Sequence, residues 1–245
     1  MNTSTVSTPT AGGSLSRKTL RRSFLQLWAL AGAGLFLASS LAAAAEPLAA
    51  KAPGDILDVF KARRSVRHFK PDAVPEANLR RILDAARTAP TSGNQQPWKF
   101  LVVRDPARIA ALKEGTVRRF AGLTDPTKPL TDEQKKNLDD LRKRIDGYFS
   151  APVMVVVLTD NKSTYPDYNH WDGPLAAGYL MLAARALGYG TVFVTDAIPD
   201  EVTKQVLNIP DRYTRVCITP LGVPAAWPDS PAKKPLDDFI ANESL

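Results

Sequence analysis

The sequence predicts an α+β fold: one domain over residues 46–245, with helices on both faces of a mixed sheet, behind a distinct appendage at residues 1–45. Three observations lead there. Helical apolar spacing alternates along the chain with short apolar runs of strand character. One helix is apolar around almost its whole circumference and must be covered by neighbours. Finally, 245 residues at 44% hydrophobic and 23% charged can bury a sizeable core. No internal repeat or low-complexity tract points to a solenoid or a disordered chain.

Asp55 precedes Ile56, Leu57, Val59 and Phe60, which places a first helix from about Ile56 to Ala62, ending at an arginine cluster. Pro75 stands where a first helical residue is favoured, and Leu79, Ile82, Leu83 and Ala86 continue an amphipathic helix to a stop before Pro90. Trp98 to Val103 reads as a buried strand, and Asp105-Pro106 caps a helix that fades by Gly115. From Gly122 to Phe149 the chain turns charged and polar. This is a surface excursion in which Thr131-x-x-Gln134, a capping box, opens a helix to about Tyr148. Val153 to Leu158 is a central strand, and a loop rich in aromatic and polar groups follows from Asn161 to Asp172. The almost uncharged helix Leu175 to Leu187 ends at Gly188 and calls for a subunit interface as well as a core. Thr191–Thr195 and Arg215–Leu221 complete the strands, with a short helix near Asp200–Leu207 between them.

Residues 1–45 are polar to Arg17, basic to Arg22, apolar from Phe24 to Leu37 and alanine-rich to Ala45, the order of a signal peptide. Within them Leu20-Arg21-Arg22-Ser23-Phe24-Leu25-Gln26 resembles the twin-arginine export motif, and Ala43 and Ala45 offer a cleavage site before Glu46. An uncleaved membrane anchor is the alternative, diluted by Gly32, Gly34, Ser39 and Ser40. The expected location is therefore periplasmic, with the twin-arginine export machinery as a partner. Arg17, Lys18, Arg21 and Arg22 leave with the signal, so the formal charge of +7 minus these four becomes +3. That residue of charge, without a basic run in the folded part, does not call for nucleic acid and fits one bound phosphate. The single cysteine, Cys217, lies in an apolar stretch and reads as a buried structural thiol.

His68 and His170 are far apart and lack ligands at metal spacing. No glycine-rich phosphate loop or serine elbow is present. What remains is Arg63-Arg64-Ser65-Val66-Arg67. If extended, it turns Arg63, Ser65 and Arg67 to one side, two guanidiniums and a hydroxyl on one face. Guanidiniums grip phosphate oxygens through paired, charge-assisted hydrogen bonds, so the cluster reads either as a phosphate seat or as a solvated basic patch. Ala89-Pro90-Thr91-Ser92-Gly93-Asn94-Gln95-Gln96-Pro97-Trp98 adds a loop of small hydrogen-bonding residues that could lie against a planar ring.

Together the two segments resemble the FMN-binding nitroreductase family, whose opening pairs an Arg-x-Ser-x-Arg element with Ala-Pro-Ser-x-x-Asn-x-Gln-Pro-Trp; this chain has Thr91 in place of the serine. The resemblance continues through Leu187-Gly188-Tyr189-Gly190-Thr191, Leu207-Asn208-Ile209-Pro210, Leu221-Gly222-Val223-Pro224 and Lys233-Lys234-Pro235. It implies a homodimer with a mixed, mainly antiparallel sheet and FMN at the subunit interface. It further implies that Arg63, Arg64, Ser65 and Arg67 hold the phosphate and ribityl chain and approach the pyrimidine edge. Pro90, Thr91, Ser92 and Asn94 would reach the flavin from the other subunit. Thr195 and Asp196 would supply backbone donors near flavin N5, and Lys233 or Lys234 would complete the phosphate site, where arginine is frequent in the family.

The activity the resemblance implies is ping-pong reduction of a small electron-poor acceptor, such as a nitroaromatic or quinone, with the flavin and no protein side chain carrying the redox step. Tyr165, Tyr168 and Trp171, or the Gly122–Phe149 excursion, could cover the ring or simply pack. The electron donor is NAD(P)H or, since export separates the protein from that pool, an extracytoplasmic reductant. Within the same fold, dehalogenation, flavin breakdown and oxidase chemistry stay open, as does a non-catalytic flavin-binding role.

Overall fold

The computed structural model describes residues 54–123 and 129–244, so the expected signal peptide and its cleavage site lie outside the described residues. In chain order the elements are α1 Ile56–Ala62, α2 Glu76–Ala86, β1 Trp98–Val103, α3 Pro106–Phe120, α4 Asp132–Ile145, β2 Val153–Asp160, α5 Asn169–Ala186, β3 Gly190–Thr191, α6 Asp200–Leu207 and β4 Tyr213–Gly222.

The four strands form one sheet in the order β1-β2-β4-β3, and each ladder is antiparallel. The parallel part of the expected mixed sheet is a single bridge, Ser65 to Thr191. Strand β2 is central and buried on both faces, which is why it reads as an unbroken apolar run. Val153, Val155 and Val157 pack with Leu79, Ile82 and Ala86 of α2 and with Ala177, Leu180 and Ala184 of α5. Met154, Val156 and Leu158 face the other way, onto Ile109 and Leu112 of α3 and Val202 and Leu207 of α6. Helices therefore cover both faces, as the periodicities require.

One irregularity matters for the site. Val157 pairs with Cys217 but Leu158 pairs with Arg215, so Val216 is the extra residue of a β-bulge. Regular alternation would put Arg215 on the α2/α5 side with Cys217. The bulge turns Arg215 to the α6 side instead.

Several boundaries differ from the sequence expectation. Pro75 caps α2 from outside, and the helix starts at Glu76. Strand β1 is only half-buried, because it forms the sheet edge. Helix α3 runs through Gly115 to Phe120. A Cβ at Gly115 would sit 2.7 Å from Val202 Cγ1, so the glycine there serves the close packing of α3 on α6 rather than a stop. The capping box at Thr131 and Gln134 is present, but α4 ends at Ile145 and a 3-10 turn, Asp146–Ser150, follows. The excursion is also better anchored than its polarity implies: Leu138 and Ile145 pack on Val117 in a small core of their own. Helix α5 begins at Asn169, inside the segment expected to be loop. Only Gly190–Thr191 pairs as a strand, with an isolated bridge at Val194 before the chain turns at Thr195.

Candidate functional site

The segment after α1 is extended and tied at both ends. Val66 N–H donates to Thr191 O at 3.0 Å, Lys70 N–H to Val223 O at 2.8 Å, and Ala225 N–H to His68 O at 3.0 Å. Val66 and Phe69 point into the interior, which leaves Ser65 and Arg67 on the outer side. Arg63, Arg64, Ser65, Arg67 and Lys233 line one cavity of about 710 Å³, and Lys61 and Asp229 also face it. A second cavity of about 470 Å³ shares Ser65, Arg67 and Pro228 with it and extends past Trp227. The residues expected to hold a phosphate are thus brought together, except that Lys234 is exposed and does not line either cavity.

Arg67 is positioned by the end of the excursion. Its Nε donates to the Tyr148 hydroxyl at 3.2 Å, and its Nη1 to Ser65 O at 3.2 Å. Phe69 N–H donates to Ser150 Oγ at 3.0 Å, while a Cβ on Gly147 would collide with the Arg67 carbonyl oxygen. The 3-10 turn therefore acts as a backstop for the arginine strand.

The electrostatics of this corner fit an anion. Arg64 donates through Nη1 to Lys61 O and Arg63 O, and Arg185 of α5 donates through Nε to Ala62 O. The Arg185 guanidinium lies 3.9 Å from the centre of the Trp227 ring. Arg64 Nε and Arg185 Nη1 are buried and have no hydrogen-bond partner among the described residues. Burial, then the neighbouring Arg64 charge, pull the Arg185 pKa below the ordinary arginine value. A buried, unpaired N–H is costly, more so when it carries charge, and such a cluster gains from a bound phosphate. Sequence reading missed Arg185 and Trp227. The available signal was a lone arginine inside the apolar run Leu180–Leu187.

The loop after α2 is held from a distance. Gly93, Asn94 and Gln96 have φ of 56°, 55° and 47°, a concentration of left-handed backbone that the surroundings must sustain. The buried carboxylate of Asp172 does so, accepting from Ser92 N–H at 3.1 Å through Oδ1 and from Gln95 Nε2 at 2.7 Å through Oδ2. Gln95 in turn accepts from Tyr165 N–H at 2.7 Å and donates to Tyr165 O at 3.0 Å. Asp172 also escaped sequence reading, although an acid at the start of an uncharged helix was a visible cue. Pro90, Thr91, Ser92 and Asn94 do not line the arginine cavity. Beside the loop, Tyr165, Tyr168 and Trp171 are exposed and meet edge to face or tilted, with centroids 6.4 and 5.5 Å apart.

Thr195 and Asp196 are exposed at the turn that ends the Gly190–Val194 run, the same run whose Thr191 bonds to Val66. They do not line the cavity; the run that leads to them begins at Gly190–Thr191, and Thr191 bridges to Ser65 of the cavity wall. Arg215 Nη2 donates to Thr195 O at 2.9 Å.

The nitroreductase family model matches residues 60–223, more than half of the chain and all four strands. The iodotyrosine deiodinase of Thermotoga neapolitana is 32% identical over 183 residues, covering 73% of this chain and 91% of that protein. The 5,6-dimethylbenzimidazole synthase of Rhodospirillum rubrum is 31% identical over 179 residues, covering 69% and 80%. A solved structure of oxidized iodotyrosine deiodinase bound to FMN and 3-iodo-L-tyrosine matches with a TM-score of 0.60 at 26% identity, over 78% of this chain and 100% of that one. With the family's arginine strand and loop both in place, the chain belongs to the nitroreductase family.

Proposed function

We propose that this protein is an FMN-dependent oxidoreductase that works as a homodimer and reduces electron-poor acceptors such as nitroaromatics and quinones in a ping-pong cycle. One observation carries the reading: Arg63, Arg64, Ser65, Arg67 and Lys233 converge on a single cavity, beside buried guanidinium N–H groups that have no partner among the described residues. The structure with FMN among the similar proteins agrees with it.

FMN held there would supply the redox chemistry, two-electron transfer between a donor and an acceptor. The protein's part is to hold and bias it. Arg63, Arg64, Ser65 and Lys233 grip the phosphate, and Arg67, steadied by Tyr148, sets positive charge toward the pyrimidine edge, where it favours the reduced ring. Pro90, Thr91, Ser92 and Asn94, in the shape Asp172 imposes, serve the neighbouring subunit's site, and Thr195 and Asp196 turn backbone donors toward N5. A second copy is supported by exposed apolar side chains on two helices in contact: Ile56, Leu57 and Phe60 on α1, and Trp171, Leu175 and Tyr179 on α5.

The donor in this proposal is NAD(P)H or an extracytoplasmic reductant, because the twin-arginine motif at Arg21-Arg22 would send the folded protein to the periplasm. Reductive release of halide from a halogenated phenol is a second reading, favoured by the similarity to a deiodinase. Titrating apoprotein with FMN and with riboflavin tests the site: FMN should bind far more tightly, since riboflavin lacks the phosphate. Equal binding of the two contradicts the placement. An acceptor screen with nitroaromatics, quinones and halophenols then separates the two reactions.

A further inference from the structure

Arg215 is charged, yet only 7% of its side chain is exposed. The bulge at Val216 aims it across the α6 side of the sheet, where its two Nη groups make three hydrogen bonds. Nη1 donates to Ile198 O at 2.6 Å and to Thr203 Oγ1 at 3.3 Å, and Nη2 donates to Thr195 O at 2.9 Å. Nε lies 3.1 Å from Asp200 Oδ1, an ion pair whose angle is too poor for a hydrogen bond, so that oxygen is left unpartnered. The carboxylate offsets the charge while the carbonyls receive the directed bonds. One buried cation thus fastens both ends of the Thr195–Ile198 turn.

The consequence follows from the planarity of the peptide. In a trans peptide the C=O of one residue and the N–H of the next point in opposite directions. With Thr195 C=O drawn inward to Arg215, the N–H of Asp196 points away from it. Asp196 is exposed and its N–H makes no hydrogen bond within the described residues. A free donor is thus held in a fixed direction at the turn that ends the Gly190–Val194 run, whose Thr191 bridges to Ser65.

We propose that Arg215 is a positioning residue, which sets the Thr195–Asp196 peptide so that the Asp196 amide donates to the flavin ring at N5. This rests on the flavin reading above and assigns the control of that contact to a residue outside the cavity. An N–H facing N5 pairs with the lone pair of the oxidised ring, and loses that acceptor once N5 carries a proton. The contact therefore favours oxidised FMN over reduced FMN.

The test uses apoprotein of wild type, R215M and R215K, titrated with oxidised FMN and, anaerobically, with reduced FMN. R215M should bind oxidised FMN about tenfold more weakly relative to reduced FMN, which raises the midpoint potential of bound FMN by about 30 mV for the two-electron couple. R215K keeps the charge and one of the bonds, so it should shift the same way by less. If R215M does not fold, the R215K shift decides. A residue with only a structural role would weaken both redox forms equally and leave the potential unmoved; that result, or no change at all, overturns the proposal. Wild-type apoprotein that takes up no FMN would sink the flavin reading itself, whereas normal uptake with an unmoved potential sinks only the role of Arg215.

Discussion

Arg63, Arg64 and Arg67 make no ion pair among the described residues, and they make the candidate site what it is. Arg63 and Arg67 face the cavity, and each should contribute a charge-assisted contact to a bound phosphate. Arg63→Ala and Arg67→Ala should each weaken FMN binding by about 1.5–3 kcal/mol in an apoprotein titration, and unchanged affinity in both would displace the phosphate from this seat. The thiol of Cys217 is the opposite kind of group. It is buried, and its pKa is pushed up to about 12, mainly by desolvation. It should resist alkylation in the native protein and react once the protein is unfolded. Because the folded state keeps this proton longer than the unfolded one, the stability it contributes is whole below the usual thiol pKa of about 8.5 and is lost as pH rises toward 12. Of the site, the arginines were legible only together with the Ala89–Trp98 loop, because a charged cluster beside a helix end reads equally well as a solvated patch. Asp172, Arg185 and Arg215 were not legible, because each acts through partners 12 to 123 residues away in sequence, which no local pattern encodes. Asp172→Ala should strand the Ser92 amide and the Gln95 side chain at a cost of about 1–3 kcal/mol, read as a lower midpoint of unfolding and faster proteolysis at the 91–96 loop.

At the scale of elements, apolar spacing and capping signals placed the α-helices and strands but not all of their ends, and of the strand expected over Thr191–Thr195 only Thr191 lies in β3. Strand β2 and helix α6 were plain, since apolar spacing alone defines them. The extension of α3 through Gly115 was hidden, because a glycine chosen for contact with Val202 looks in sequence like a stop. The bulge at Val216 was invisible for a related reason: a pairing irregularity belongs to two strands and is written in neither. The excursion shows how an element that reads as surface decoration reaches the chemistry. Its 3-10 turn abuts the Arg67 backbone at Gly147 and holds Phe69 through Ser150. Gly147→Ala should force the arginine strand to shift, destabilising the fold by about 1–3 kcal/mol. The same variant should weaken FMN binding although no side chain of the cavity has changed. Loss of stability with full FMN affinity would show that the turn does not position Arg67.

Across the described residues, one antiparallel sheet organises the fold, and the candidate site residues lie where its outer segments meet loops. The family fold was legible because two motifs fall on opposite sides of α2, a spacing that composition alone cannot produce. The proposed second copy has less direct support, in apolar side chains of α1 and α5 that are exposed among the described residues. The account brings the cationic cavity of one subunit and the Pro90–Asn94 loop of its neighbour to one mononucleotide. The most direct test is the visible absorption of the purified protein across a size-exclusion column. The account predicts a yellow dimer carrying stoichiometric FMN that bleaches with a suitable reductant; a colourless protein that stays colourless after incubation with FMN would contradict it.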